Sequence, residues 1–262
     1  MSYLHCISAL WRREIVKFVR DRSRVFGALA QPVLFWLLLG MGFQGSFSLP
    51  GAGEEGVGYF EFLFPGIIAL MILFTAIFST ISIVEERKAG FLQAALVAPV
   101  SRTAFVLGST LGGTTLSLIQ AILLLVLLPF LSIFPSIPGV LLILTLCVFA
   151  GIAFTALGIA IAWRMATTRG FHAIMNLFLL PMWLISGAFF PYEGATTVLQ
   201  WAIRLNPVSY MISGMRSGMY WPDAAPATLA GIPISLLIGA GFAAAMIGVA
   251  TWTVKRPLSA AV

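Results

Sequence analysis

Charge is scarce in this chain, and its densest cluster is the first place to look for chemistry. Glu85, Glu86, Arg87 and Lys88 stand in a row between two long apolar runs, and Arg102 closes the stretch that follows them. From Gly90 to Pro99 lies a helix-length, mostly apolar segment. It opens at a flexible glycine and ends at a proline, which cannot continue a helix. The segment is too short to cross a bilayer. A short apolar helix between charged flanks at a membrane surface fits two readings. One is a contact for another protein, with Phe91 as the aromatic anchor in the partner's pocket. The other is a helix lying in the headgroup region. Glu85 and Glu86 could pair with a partner's cations or with Arg87 and Lys88 nearby. Exposed pairs of the second kind are worth only about 0–1 kcal/mol.

Other chemistry has little to work with. No Asp, Glu, Lys or Arg lies inside the apolar runs away from their ends. Intramembrane ionisable residues mark proton relays and ion coupling, so their absence argues against a proton- or sodium-driven carrier. His5 has no Cys or carboxylate nearby to complete a metal site, and His172 sits at a run end in a solvated or capping position. No nucleophile–base arrangement stands out, and no catalytic or metal residue is assigned. The phosphate-binding pattern GxxxxGK[ST] is missing, since none of Lys17, Lys88 and Lys255 follows a glycine. No cofactor is expected on this chain; ATP with Mg²⁺, if used, binds a partner subunit. Cys6 and Cys147 do not form a disulfide framework.

The elements that must position the charged stretch follow from composition. Hydrophobic residues make up 60% of the chain and charged residues 9%, with a mean hydropathy of +1.02. A soluble domain carries about 25% charged residues, so the chain is read as an all-α integral membrane protein in a lipid bilayer. Residues 1–24 form an amphipathic helix: Leu4, Ile7, Trp11, Ile15 and Phe18 recur at steps of three and four, while Arg12, Arg13, Lys17 and Arg20 take the other sides. That is the pattern of a helix lying in the interface plane. No cleavable leader is expected, because the charged N-terminal stretch is too long for one and the next run is span-length. A single six-span unit, 25–254, follows, with a tail at 255–262. Its runs are about Val25 to Phe43, Phe62 to Val84, Ala104 to Phe130, Gly139 to Trp163, Phe171 to Phe190 and Ala230 to Val254. Each is near the roughly 20 residues needed to span. Gln31-Pro32 is expected to be a kink or an entry point in the first. Gly108 and Gly112 open the third with a small-xxx-small pattern that lets another helix approach closely.

Sidedness follows from the basic residues. Arg12, Arg13, Lys17, Arg20, Arg22, Arg24, Arg87, Lys88, Arg102, Arg164, Arg169, Lys255 and Arg256 fall on one side of a six-span layout, 13 of the 15 cations. Only Arg204 and Arg216 fall on the other. The positive-inside rule then puts both termini and the charged stretch in the cytoplasm. The basic balance is topology, and no nucleic-acid partner is expected. On the outer side, 191–226 is long and structured, with Val198, Leu199, Trp201, Ala202 and Leu205 at helical spacing and a break at Asn206-Pro207. Neither piece is long enough to cross, so both lie at the outer surface or dip in and return under protein cover.

These residues resemble the membrane subunit of ATP-binding-cassette exporters of the type-2 permease class, over essentially the whole length. Glu85-Glu86-Arg87-Lys88, Gly90 and Pro99-Val100-Ser101-Arg102 are similar to that family's cytoplasmic coupling helix between spans two and three, which docks on the nucleotide-binding subunit. Ser186-Gly187-Ala188-Phe189-Phe190-Pro191, Leu199-Gln200-Trp201, Leu205-Asn206-Pro207, Tyr210 and Arg216 are similar to its signature across span five and the short re-entrant exoplasmic helices before span six. One departure stands out: many relatives carry Gly-Thr and then charges in the coupling helix, whereas this chain has Gly90-Phe91 and Gln93-Ala94-Ala95. The implied docking surface is more apolar.

The resemblance implies a multi-pass permease of a bacterial or archaeal cytoplasmic membrane, paired as a homodimer or heterodimer and driven by a separate ATPase. It would move a hydrophobic or amphiphilic compound, a lipid or a polysaccharide outward by alternating access. Docking falls to Glu85, Glu86, Arg87, Gly90, Phe91, Pro99 and Arg102. The exoplasmic structural positions are Gly187, Pro191, Asn206, Pro207, Tyr210 and Arg216, the last expected close to Glu193 or Asp223. Phe74, Phe78, Asn176 and Met182 are candidate path residues, against the competing reading that such side chains pack on lipid or neighbouring helices. A non-transporting membrane scaffold fits the same topology, and a membrane-embedded enzyme would need a cluster of catalytic polar groups that the sequence lacks.

Overall fold

A computed structural model describes residues 3–45, 57–88 and 101–256. Every regular element among them is helical, and six helices are long and apolar enough to cross a membrane. α1 spans Tyr3–Arg20 and α2 Arg22–Phe43, with Asp21 as the break. α2 runs through Pro32 as one helix. The next helices are α3, Tyr59–Lys88, and α4, Arg102–Leu125, then α5, Ile137–Arg164, and α6, Thr168–Trp183. Two short helices, α7 over Thr197–Leu205 and α8 over Pro207–Tyr220, precede α9, Ile232–Lys255. At 1.5 Å per residue α7 and α8 reach only about 14 and 21 Å, short of the roughly 30 Å hydrocarbon core.

α3 is the central column. Its side chains from Phe62 to Phe74 are buried without a break, as expected of a helix that is apolar all round. α2 and α6 pack on it from some directions, α4 and α5 from others, and α9 packs against α5. Its 30 residues rise about 45 Å, so it outreaches a hydrocarbon core at its ends.

Two run ends differ from the sequence expectation, each for a local reason. α4 stops at Leu125 rather than near Phe130, and a short 3-10 turn covers Leu128–Leu131. Pro129 lacks an N–H for the Leu125 carbonyl, and its ring would collide with that carbonyl in a continued helix. Phe130 is left exposed. The fifth run leaves α-geometry at Leu184–Ala188, a π turn in which Gly187 has φ +75°. Only glycine adopts that conformation without strain.

The close approach at Gly108 and Gly112 is made by α1, within the same chain. A Cβ on Gly108 would lie 2.7 Å from the Leu10 Cβ, and one on Gly112 would lie 2.7 Å from the Glu14 Cβ. The pair is further fixed by the Trp11 indole N–H donating to Thr115 Oγ1 at 3.0 Å and by Tyr3 Oη donating to Thr103 Oγ1 at 3.2 Å. Gly112→Leu is therefore expected to lever α1 away, at the usual overpacking cost of about 1–3 kcal/mol. Thiol labelling reads this directly. Cys6 on α1 is half-buried and should label faster in the variant, while buried Cys147 in α5 stays protected unless the whole chain unfolds.

Candidate functional site

The charged stretch sits at one end of the bundle, where α1, the last turn of α3, the first turn of α4 and the ends of α5 and α9 meet. Gly90, Phe91 and Pro99 lie outside the described residues; Glu85, Glu86, Arg87 and Arg102 are within them. Sequence alone leaves these charges to pair with a partner or within the chain. In the structure three of them are held by the chain itself. Glu86 accepts from Lys17 and, at 3.4 Å, from Arg13, both on α1. Arg13 also reaches Glu14 at 2.7 Å. Glu14 is buried, and Ser82 on α3 donates to it at 3.5 Å. Two carboxylates and two cations thus tie α1 to the end of α3, and pairing lowers the cost of taking Glu14 out of water.

Arg87 points the other way. Its guanidinium donates to the carbonyls of Trp163 and, at 3.2 Å, Met165, and lies 5.7 Å from the Trp163 ring. These carbonyls belong to the last turn and C-cap of α5, where helix carbonyls lack intrahelical partners and the helix dipole is negative. Arg102 does the same for α9, donating to Val254 at 3.0 Å and Lys255 at 2.9 Å. The segment 89–100 is therefore bracketed by two arginines, each holding the carbonyl end of a different long helix. Residue spacing alone carries no sign of this, because the acceptors are backbone atoms some 75 and 150 positions away in the chain.

At the opposite end the signature residues gather around the π turn. Asn206 Nδ2 donates to the Met182 carbonyl at 2.6 Å, while its Oδ1 accepts from Val208 N at 3.0 Å and so caps α8. Pro207 fills the first helical position, where its missing N–H costs nothing. Tyr210 Oη donates to the Arg204 carbonyl at 2.9 Å. Pro191 leads into a 3-10 turn at Tyr192–Gly194. Tyr59 Oη donates to the Phe189 carbonyl and the Trp183 indole to the Gly66 carbonyl, pinning the turn to α3.

Arg216 is buried, at 4% exposure. Glu193 is close enough to favour its charge, as expected, while its hydrogen bonds go to carbonyls: Ala227 at 2.6 Å and Phe62 at 3.1 Å, with the Phe62 ring 4.2 Å away. Burial draws its pKa down to about 10, partly offset by Tyr220 and Glu193. The group stays cationic at neutral pH. The lowered pKa makes its burial a cost to folding at every pH below about 10, and that cost is relieved only as pH rises above that value.

The candidate path residues divide. Phe74 and Phe78 stack with centroids 6.4 Å apart, and Phe78 meets His172 of α6 edge-on at 6.3 Å. Asn176, one turn further along the same face of α6, is exposed. Met182 lies apart, in an open apolar groove of about 780 Å³ whose walls include Leu177, Phe178, Leu205 and Pro207. Among the described residues no group of three or more His, Cys, Asp or Glu is placed to hold a metal.

Comparison with known proteins matches residues 5–220 to the family described as ABC-2 type transporter. A putative transport permease, ycf38, of Porphyra purpurea is 30% identical over 80% of this chain and 72% of its own length. Nodulation protein J of Sinorhizobium fredii is 28% identical over 80% of each chain. The inner membrane transport permease YadH of Escherichia coli is 26% identical over 82% of this chain and 83% of its own.

Proposed function

Because the chain belongs to the ABC-2 type transporter family of membrane permeases, we propose that it is the membrane subunit of an ATP-driven exporter and that segment 85–102 docks on a separate ATPase. The bracket formed by Arg87 and Arg102 carries this reading. A push on the segment between them is delivered at once to the carbonyl ends of α5 and α9. The charge cluster at Glu86 passes the same push to α1. With Glu86, Arg87 and Arg102 held by the chain itself, docking falls to the apolar segment and above all to Phe91.

In this reading the basic end faces the cytoplasm, as the positive-inside rule requires. α1 runs at the membrane interface, and α7 and α8 re-enter from the outer side under cover of the π turn and α3. A bacterial inner membrane is supported by the name of the Escherichia coli relative. Two copies pair, with the exposed face of α6 that carries Leu177 and Phe178, 67% and 64% exposed, turned toward the partner copy. The cargo is apolar or amphiphilic, or a polymer sliding past the partly exposed Phe78, with Phe74 stacked behind it, since the path offers no fixed charge to bind an ion.

The test is co-purification of the tagged chain from its host in mild detergent. An ABC ATPase subunit is expected with the wild type and is expected to be lost with Phe91→Asp, because a buried carboxylate without a partner in an apolar pocket is strongly unfavourable. Retention of the ATPase by Phe91→Asp would remove Phe91 from the docking role. Absence of any ATPase from the wild type in several detergents would favour a membrane scaffold instead.

A further inference from the structure

A second apolar cleft lies away from both sites. It is formed by the α1–α2 junction and by α4 and encloses about 410 Å³. Phe26 and Leu29 of α2 and Leu116, Ile119 and Leu123 of α4 form much of its wall. Among the described residues Gln120 contributes the only polar uncharged side chain, and its Oε1 accepts from Thr75 inside the bundle. Arg22 is the one charged residue of the lining among the described residues.

The direction of the cleft is fixed by the packing. α2 runs opposite to α3, with Gly27 against Phe78 and Phe43 against Tyr59. α4 also runs opposite to α3, with Gly113 near Ser79 and Gln120 bonded to Thr75. α2 and α4 therefore lie parallel. Arg22 and Leu116 mark one end of the cleft, and Leu29 and Leu123 mark the other, about 10 Å of helix rise further on. Arg22 sits just before the apolar run that begins at Val25, and Arg20 is exposed two residues earlier. The cleft thus opens at a cationic border and deepens along apolar walls. Phe26, Ile119 and Leu123 are 74%, 49% and 56% exposed.

We infer that this cleft binds one acyl chain of an anionic bilayer phospholipid, with the lipid phosphate on Arg22. An uncharged apolar ligand would leave the arginine at the mouth without an anion, and a free phosphate would leave the apolar walls uncovered. A chain bearing an anionic head satisfies both. Arg20 strengthens the preference for a net negative head over a zwitterionic one, since neighbouring cations repel its ammonium group.

The experiment offers the full chain, purified in detergent, equal amounts of dioleoylphosphatidylglycerol and dioleoylphosphatidylcholine and counts retained lipids by native mass spectrometry. The glycerol lipid is expected to be retained about ten-fold more often, the ratio that 1.4 kcal/mol of preference produces. Arg22→Gln should bring the ratio close to one. Ile119→Trp, which fills the cleft, should lower retention of both lipids. Arg164→Gln, an exposed cation at the same end of the bundle, should leave the ratio unchanged. Equal retention of the two lipids by the wild type would overturn the inference. So would an unaltered preference in Arg22→Gln, or full retention in Ile119→Trp.

Discussion

Replacing Arg87 and Arg102 together by glutamine is expected to leave an ATPase bound while breaking the link between ATP hydrolysis and transport. Each arginine holds two carbonyls at the end of a long helix. Hydrogen bonds to a charged group are worth about 1.5–3 kcal/mol, and glutamine cannot supply the guanidinium fork or its charge at the helix end. Arg87, which also faces the Trp163 ring, should dominate the loss. If the bracket carries motion into α5 and α9, transport per ATP hydrolysed falls about ten-fold or more for a coupling loss of 1.4 kcal/mol. Reconstituted vesicles in which hydrolysis and efflux are measured side by side give the answer. Hydrolysis and efflux falling in parallel would point to lost docking, and both staying at wild-type levels would show that the bracket is only a cap.

The second large effect is expected at Glu86. Glu86→Lys gathers three cations, Arg13, Lys17 and the new lysine, around the single carboxylate of Glu14. The side chains of Arg13 and Glu86 are 27% and 12% exposed, so water screens the repulsion only in part. The last turn of α3 should loosen from α1, with a lower Tm and faster labelling of Cys6. Reversing the pair as Lys17→Glu with Glu86→Lys restores the charge balance and should recover most of the loss. A double-mutant cycle is expected to return a coupling energy of about 1–2 kcal/mol. Additive losses in the double variant would mean that Glu86 matters to something other than α1.

The parts legible in the sequence are those set by local composition. Six apolar runs located six helices, because a run of that length has few other solutions in a bilayer. The interruption at Asn206-Pro207 located the α7–α8 break, because asparagine caps and proline starts a helix. Composition also hid two boundaries. Phe130 is as apolar as the residues before it, and the helix end is dictated by the backbone chemistry of Pro129. Gly187 sits inside an apolar run, and its positive φ shows only in the turn it makes.

Side-chain partners were much less legible. Gly108 and Gly112 announced a close neighbour without naming α1. Arg216 has the expected carboxylate, Glu193, in electrostatic reach, but the carbonyls it bonds, at Ala227 and in the first turn of α3, are not marked in the sequence. Glu86, Arg87 and Arg102 flank the apolar segment proposed to dock, and spacing alone suggests that they share its role. Arg87 and Arg102 donate to distant backbone carbonyls and Glu86 accepts from the basic face of α1, and one-dimensional spacing does not encode such pairings. Under the proposed function, charge at this end builds the frame, and docking is assigned to the apolar segment between 89 and 100.

That division of labour is tested most directly by replacing Phe91 with photoreactive p-benzoyl-phenylalanine and irradiating native membranes. The expected result is a single covalent adduct between this chain and an ABC ATPase subunit, diminished by a competing untagged copy of the chain. Adducts confined to lipid would contradict the account and place the segment in the headgroup region, with no ATPase docked at this position.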